Sequence, residues 1–160
     1  MHLYWIGAAA DIAKAGDASA NWILEEAGAG RIFASGHGEP GNDAGITNSL
    51  TRAEPLPDGS YRFTGHKIFT SLSPAWDWLG VHGRDDTDPS NPQIVHAFIK
   101  RGVRGQRTVE TWDALGMRAT RSDDTLLDGA IAEAGHVLRV LPAGPPSDNY
   151  IASILGWALP

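Results

Sequence analysis

The spacing of apolar residues changes along this chain, and the changes predict its secondary structure. Apolar side chains recur every three or four residues over 1–13 and 18–28, with a break at Gly16 and Asp17, which predicts two helices. From Arg31 onward apolar and polar residues alternate, as they do in half-buried strands. The predicted strands lie at residues 31–35, 48–55, 61–69, 77–82, 93–100, 107–111 and 124–131.

Helical spacing returns at the end of the chain. The turn-forming stretch Pro142–Pro146 precedes a predicted helix with Ser147 or Asp148 as its N-cap. The apolar stripe of this helix would consist of Tyr150, Ile151, Ile154 and Leu155. Together these elements predict a mainly β fold, an antiparallel small barrel or two packed sheets flanked by helices at both ends.

Composition excludes several classes of protein. The chain has 160 residues, which is enough to bury one core. It has no Cys, and its six His show no metal-ligand spacing, so we predict neither disulfides nor a metal site. A formal charge of −6 argues against a nucleic-acid partner. No apolar run approaches the ~20 residues of a membrane-spanning helix, and no signal peptide is evident, so we expect a cytoplasmic protein.

Positive charge is concentrated in one place. Lys100, Arg101, Arg104 and Arg107 surround a turn that contains glycine. This cluster has two interpretations: a solvated loop, or an anchor for the anionic tail of a ligand, such as a phosphate group.

The first block with chemical content is Ile32-Phe-Ala-Ser-Gly-His-Gly-Glu-Pro-Gly-Asn-Asp43. Its glycines leave the backbone amides accessible to a planar or anionic ligand. The spelling G-x-G-x-x-G suggests a dinucleotide-binding fold, but that motif must open a helix within a strand-helix-strand unit. Pro40 lies inside the motif, and the turn-rich residues 45–51 follow it, so we reject that interpretation.

The second block is Gly65-His-Lys-Ile-Phe-Thr-Ser-Leu-Ser-Pro-Ala-Trp-Asp-Trp78. Alternation predicts that Phe63, Gly65, Lys67 and Phe69 share one face of a strand. Taken alone, an aromatic residue such as Phe69 on a strand is more typical of a core than of a cofactor site.

The third block is Trp112-Asp-Ala-Leu-Gly-Met-Arg-Ala-Thr-Arg-Ser-Asp-Asp-Thr-Leu-Leu-Asp-Gly129. It contains a turn that leads into an apolar strand. Arg118, Thr120 and Ser122 either fix this turn by hydrogen bonds or contact a ligand. We expect Gly116 to adopt a backbone conformation that is costly for a β-branched residue.

In this order the three blocks resemble the acyl-CoA dehydrogenase family over nearly the whole chain. In the first block, Glu39-Pro40-Gly41 and Asp43 match the family stretch T-E-P-x-A-G-S-D. Gly38 stands where the family often has Thr.

The other two blocks extend the resemblance. The second is similar to the family's G-x-K-x-W-I-T-N, with Phe69 in place of the Trp that packs on the flavin. Ser71 replaces the Thr whose hydroxyl bonds near the flavin's reactive nitrogen. The third resembles the block that leads into the last strand of the family's middle β-domain.

The resemblance implies a division into domains. Residues 1–30 would be the end of the N-terminal helical domain, 31–141 the middle β-domain and 142–160 the start of the C-terminal helical domain. The chain would then be a truncated portion of the family's full length. In the family the catalytic base lies in the C-terminal domain, so we nominate no catalytic residue here.

The resemblance also implies a cofactor, FAD, and a set of contacts. Asn42 would contact the substrate. The implied cofactor-binding residues are Gly36, His37, Gly38, Phe69, Thr70 and Ser71.

The implied function is that of an FAD-dependent oxidoreductase that desaturates an acyl-CoA thioester in fatty acid metabolism. Its partners would be the acyl-CoA substrate, an electron-transfer acceptor and further copies in a homo-oligomer. Two alternatives stay open: a flavin-dependent monooxygenase of the same fold, or a non-catalytic partner subunit.

Overall fold

Two helices precede the sheet. The computed structural model describes residues 1–41 and 47–144. Helix α1 spans His2–Lys14 and helix α2 spans Asn21–Gly28, which confirms both predicted N-terminal helices. Asn42 and the helix predicted after Pro146 lie outside the described residues. No helix in the described part of the chain is long and apolar enough to cross a membrane.

The rest of the described chain is mainly strand. In chain order the strands are β1 Phe33–Gly36, β2 Arg52–Pro55, β3 Tyr61–Thr70, β4 Trp78–Asp85, β5 Gln93–Lys100, β6 Gln106–Val109, β7 Asp123–Ala132 and β8 Val137–Pro142. The first seven correspond to the predicted strands. Strand β8 was not predicted, because Val137–Pro142 lies at a sheet edge and shows no clear alternation of buried and exposed residues.

The strands form one curled, mixed sheet. Its order is β6-β7-β3-β2-β4-β5-β8, and β1 also pairs with β4. Strands β1 and β2 run one after the other along the same edge of β4 and parallel to it, whereas the other pairs are antiparallel. The predicted mainly β fold is therefore confirmed, with a mixed sheet that does not close into a barrel.

The inner face of the sheet surrounds the larger of two apolar cores. Burial of the apolar side chains in this core is the main source of the stability of the fold. The core residues come from six strands and the β3–β4 loop: Ala34, Ala53, Phe63, Trp76, Leu79, Val81, Val95, Ala97, Ile99, Leu127, Ala130 and Ala132.

The two helices cover the opposite face of β1, β4 and β5 and form a second core. Trp5 of α1 lies directly on Gly80 of β4, where a Cβ atom would collide with the indole ring. The Trp5 indole N–H donates to the carbonyl oxygen of Ala34 at 3.0 Å. Glycine at position 80 therefore permits the helix to pack closely on the sheet.

Candidate functional site

The second and third sequence blocks meet at one end of the sheet. The amide of Leu72 donates to the carbonyl of Thr120 at 2.9 Å, and the amide of Ser73 donates to that of Arg121 at 3.0 Å. The amide of Asp123 donates in turn to the hydroxyl of Ser73 at 3.1 Å. We call this structure, residues 69–77 joined to residues 110–122, the joined loops.

Four non-glycine residues of the joined loops have left-handed backbone conformations. The φ angles are 56° at Phe69, 68° at Leu72, 54° at Met117 and 41° at Arg121. Such a conformation costs roughly 1–3 kcal/mol per residue and is concentrated at functional sites in proteins. Within the described residues no other non-glycine position has a positive φ, so this strain lies entirely in the joined loops.

The left-handed position in the third block differs from the one expected. Gly116 has no positive φ, and a Cβ atom there would meet no atom within 4 Å. The expectation of a special conformation at Gly116 is therefore wrong. The next residue, Met117, carries it instead.

Phe69 is exposed at the joined loops. The strand register shifts between Lys67 and Thr70, and the left-handed backbone of Phe69 turns its ring outward. The residue is 63% exposed, and its ring contacts that of Trp112 edge-on at a centroid distance of 6.0 Å. The prediction that it shares a face with buried Phe63 is wrong, because the bulge interrupts the alternation. Its interpretation as a core residue is excluded for the same reason.

Several hydroxyl groups of the joined loops lie close to Phe69 in sequence or in space. Ser71 and Ser122 hydrogen-bond through their hydroxyls at 2.8 Å, and Ser122 also bonds to Thr120 at 2.8 Å. Thr70 instead points inward, where its hydroxyl accepts a hydrogen bond from Thr125 at 3.3 Å. Ser122 and Thr120 therefore fix the turn, as one of the two interpretations of the third block proposed.

A cavity of about 390 Å³ adjoins the joined loops. Asp123 is a buried residue of its lining, and one carboxylate oxygen of Asp123 accepts hydrogen bonds from the amides of Thr111 and Trp112 at 3.0 and 2.9 Å. The other carboxylate oxygen pairs with Arg121 at 3.2 Å. The cavity lining thus contains both charge signs and one aromatic face, supplied by Glu110, Thr111, Trp112, Asp113, Arg118, Arg121 and Asp123.

The first block lies against the second. The amide of Ile68 donates to the carbonyl of Gly38 at 2.9 Å, and the two residues form an isolated β-bridge. A Cβ atom at Gly38 would lie 2.9 Å from the Ile68 carbonyl oxygen, and one at Gly36 would lie 3.3 Å from the side chain of Leu79. Close packing within the protein accounts for both glycines. Cofactor contact by Gly36, His37 and Gly38 stays a prediction.

A buried ion pair fastens the first block to β3. The amine of Lys67 donates to the Glu39 carboxylate at 2.6 Å, and both side chains are fully shielded from solvent. Burial opposes ionisation of Glu39, but hydrogen bonds from Lys67, Thr51 and Leu50 outweigh it and hold the pKa of Glu39 well below its usual range. Burial lowers the pKa of Lys67 to about 8, so the pair is ionised at neutral pH. This pair has a structural role, because a buried charge that lost its partner would be strongly destabilising.

Three histidines that are far apart in sequence form a buried cluster, which we call the histidine cluster. The ring centroids of His37 and His82 are 5.2 Å apart, those of His82 and His96 are 5.8 Å apart, and those of His37 and His96 are 6.2 Å apart. Each ring has a buried nitrogen without a hydrogen-bond partner among the described residues. No group of described residues has a metal-binding arrangement. Sequence spacing missed this cluster, although His82 and His96 lie opposite each other in the register of β4 and β5.

The residues of the basic cluster lie in different environments. The Arg101 guanidinium stacks on Trp76 at 4.1 Å and donates to the carbonyls of Ser73 and Trp76, so it supports the joined loops from within. Lys100 lies over the ring of Trp78 at 5.6 Å, and Arg104 is exposed.

Comparisons with known proteins place this fold and site in context. No protein-family model matches the chain. The amino sugar nitrososynthase DnmZ of Streptomyces peucetius is 30% identical over 84% of this chain and 31% of that protein. The dibenzothiophene monooxygenase of Rhodococcus erythropolis is 31% identical over 75% of this chain and 28% of that protein. The mitochondrial isovaleryl-CoA dehydrogenase of Arabidopsis thaliana is 25% identical over 62% of this chain and 24% of that protein.

Several solved structures have a fold similar to that of this chain. FMN-bound TdsC from a Paenibacillus species has a TM-score of 0.65 and 31% identity, over 77% of this chain and 30% of that one. KijD3, in complex with FMN and dTDP-3-amino-2,3,6-trideoxy-4-keto-3-methyl-D-glucose, has a TM-score of 0.73 and 26% identity, over 85% and 32%. A glutaryl-CoA dehydrogenase from Mycobacterium smegmatis in complex with FADH2 has a TM-score of 0.66 at 20% identity, which shows the fold alone.

The mainly β sheet and its helices are thus those of a domain found in flavin-binding oxidoreductases. The chain resembles the acyl-CoA dehydrogenase family, as predicted, because its relatives and structural neighbours include acyl-CoA dehydrogenases together with monooxygenases and nitrososynthases. It spans about a third of the length of the curated relatives that it matches.

Proposed function

We propose that the joined loops form the flavin-facing wall of a flavin-dependent monooxygenase. The observation that carries the proposal is the exposed Phe69 ring, held outward by a left-handed backbone beside Trp112 and next to the Ser71 hydroxyl. An isolated protein gains nothing from exposing a ring in a strained conformation, whereas a site for a flat aromatic ligand uses both features. The similarity to a dibenzothiophene monooxygenase and to nitrososynthases supports the choice of reaction class.

The residues present fit an isoalloxazine ring. Phe69 and Trp112 offer apolar surface that would exclude water from one side of the ring, and Ser71 offers a hydroxyl for its polar edge. When bound, the flavin would supply the redox chemistry, while the protein residues orient it and tune its electron affinity. We also propose that residues 36–38 contact the flavin. Their backbone would make this contact, because the His37 ring is engaged in the histidine cluster.

We propose FMN as the flavin. The resemblance of the three blocks implied FAD, but the two solved structures with more than 25% identity described above contain FMN. The substrate would be a small heteroaromatic compound or an amino sugar, the classes named for those relatives.

Binding can be tested on the 160-residue chain by nuclear magnetic resonance. Titration with FMN should shift the amide signals of residues 69–73 and 118–123, and FMN should bind at least as well as FAD. Phe69→Ala should weaken binding about tenfold by removing the aromatic contact. Leu3→Ala, which truncates an exposed apolar residue on α1, is the matched control and should change nothing.

Two results would count against this proposal. Unchanged FMN affinity in Phe69→Ala would remove Phe69 from the flavin site. Absence of any flavin binding would favour a non-catalytic partner subunit of the same fold.

An acyl-CoA dehydrogenase is the second candidate, favoured by the similarity to isovaleryl-CoA dehydrogenases of two plants. It would take an acyl-CoA substrate, pass electrons to a separate acceptor and assemble as a homo-oligomer. In the natural protein that contains this sequence, bleaching of bound FAD by an acyl-CoA would support this candidate. Oxygen consumption that needs both reduced FMN and an organic substrate would support the monooxygenase.

A further inference from the structure

Three hydroxyl groups at the joined loops form a continuous chain of hydrogen bonds. It runs from Ser71 to Ser122 at 2.8 Å, from Ser122 to Thr120 at 2.8 Å and from Thr120 to the carbonyl oxygen of Met117 at 2.8 Å. Ser122 is buried, and Ser71, at the end nearest Phe69, is only partly buried. This hydroxyl chain therefore connects the proposed ligand surface to the backbone carbonyl of Met117.

The carbonyl end determines the direction of every hydrogen bond in the chain. A carbonyl oxygen can only accept, so the single hydroxyl proton of Thr120 is donated to Met117. Ser122 must then donate its proton to Thr120, and Ser71 must donate its proton to Ser122. The Ser71 oxygen is left with lone pairs alone and can only accept a hydrogen bond from a ligand.

We propose that this hydroxyl chain makes the site selective for reduced flavin, with Thr120 and Ser122 as positioning residues that act through Ser71. Two-electron reduction adds N–H donors to the isoalloxazine where the oxidised ring has lone pairs. An acceptor-only hydroxyl matches an N–H donor and repels a lone pair, so the two redox states bind with different affinities. This inference rests on the proposed flavin site and states which form of the cofactor that site takes up.

The test compares the affinities of reduced and oxidised FMN. The isotope-labelled 160-residue chain is titrated with each form under anaerobic conditions, and both dissociation constants come from the amide shifts of residues 69–73. We expect reduced FMN to bind about tenfold more tightly, the effect of one hydrogen bond gained or lost. For a two-electron couple, a tenfold ratio raises the potential of the bound flavin by about 30 mV.

Thr120→Val is the decisive variant, because it removes the hydroxyl and keeps the shape of the side chain. The Met117 carbonyl still accepts from the Trp112 indole at 3.1 Å and from the amide of residue 120 at 3.1 Å, so it is not left unpaired. Ser122 can then donate to Ser71, which frees the Ser71 proton for the ligand. Oxidised FMN should therefore bind more tightly to this variant, and the preference for the reduced form should fall about tenfold.

A gain in oxidised-flavin affinity distinguishes this mechanism from simple loosening of the loops, which would weaken both forms alike. Thr108→Val makes the same change on β6, away from the hydrogen-bonded hydroxyls. This control should keep the wild-type ratio of reduced-FMN to oxidised-FMN affinity. An equal ratio in the wild type and Thr120→Val, with FMN bound at these loops, would overturn the inference and leave the proposed function standing. Failure of both flavin forms to bind would overturn the proposed function and the inference together.

Discussion

Mild acid should unfold this protein through the histidine cluster. Burial is the main cause that keeps its rings neutral, and it lowers the pKa of His82 to about 3, that of His96 to about 4 and that of His37 well below its ordinary value. The Lys67 ammonium lowers all three pKa values further and Arg139 lowers that of His96, whereas the Glu39 carboxylate raises those of His37 and His82.

The sign and size of the effect follow from proton binding. In the unfolded chain each histidine has a pKa near 6.5 and takes up a proton below that pH, whereas the folded state does not. The cluster's stability is therefore fully present above about pH 6.5 and is lost as the pH falls toward the folded pKa values of about 4 and 3. Each histidine contributes up to about 1.4 kcal/mol per pH unit, so three contribute roughly 4 kcal/mol per unit.

That loss is large beside a total stability of about 5–15 kcal/mol for a domain. We therefore expect unfolding between about pH 5 and 4. The Glu39 carboxylate, whose folded pKa is lowered, contributes a separate loss at still lower pH.

Urea unfolding at a series of pH values from 7.5 to 4.5 measures this dependence. The free energy of unfolding should fall steeply below about pH 6, and in His96→Gln the slope should be about one third smaller because one titrating ring is gone. Val95→Ala on the same strand is the control: it should lower stability by a similar amount at every pH and leave the slope unchanged. A slope below about 1 kcal/mol per pH unit, or equal slopes in the wild type and His96→Gln, would refute the assignment.

The turns and carboxylates allow further tests. Gly105→Ala should lower stability by more than about 2 kcal/mol in thermal melts, because Gly105 has a φ of 86° and a Cβ atom there would collide with the Asp128 carbonyl; an unchanged melting temperature would contradict that geometry. Gly116→Val should change the free energy of unfolding by no more than about 0.5 kcal/mol, whereas Met117→Val should lower it by about 1–2 kcal/mol, since only position 117 is left-handed. A larger loss in Gly116→Val than in Met117→Val would contradict these backbone conformations. The 160-residue chain with added FAD should show no acyl-CoA-dependent reduction of an artificial electron acceptor, because the buried carboxylate beside the joined loops is already paired; saturable turnover would show that an active base is present.

The local pattern of this sequence was sufficient to predict most of the secondary structure. Seven strands and both N-terminal helices lie close to where the spacing of apolar residues placed them. This agreement has a local cause, since alternation reports the burial of one strand face whatever its neighbours are. It failed at Phe69, where a bulge reversed the face, and at β8, an edge strand whose residues are partly buried or exposed.

Three ordered motifs were also sufficient to predict the family, because each motif is a contiguous stretch of sequence. Pairing between distant segments was different. The parallel contacts of β1 and β2 with β4, the joining of residues 69–77 to 110–122 and the meeting of His37, His82 and His96 depend on strand register and sheet curvature. No local pattern encodes these quantities, so only the tertiary structure shows which hydroxyls form a directed chain and which imidazoles are buried together.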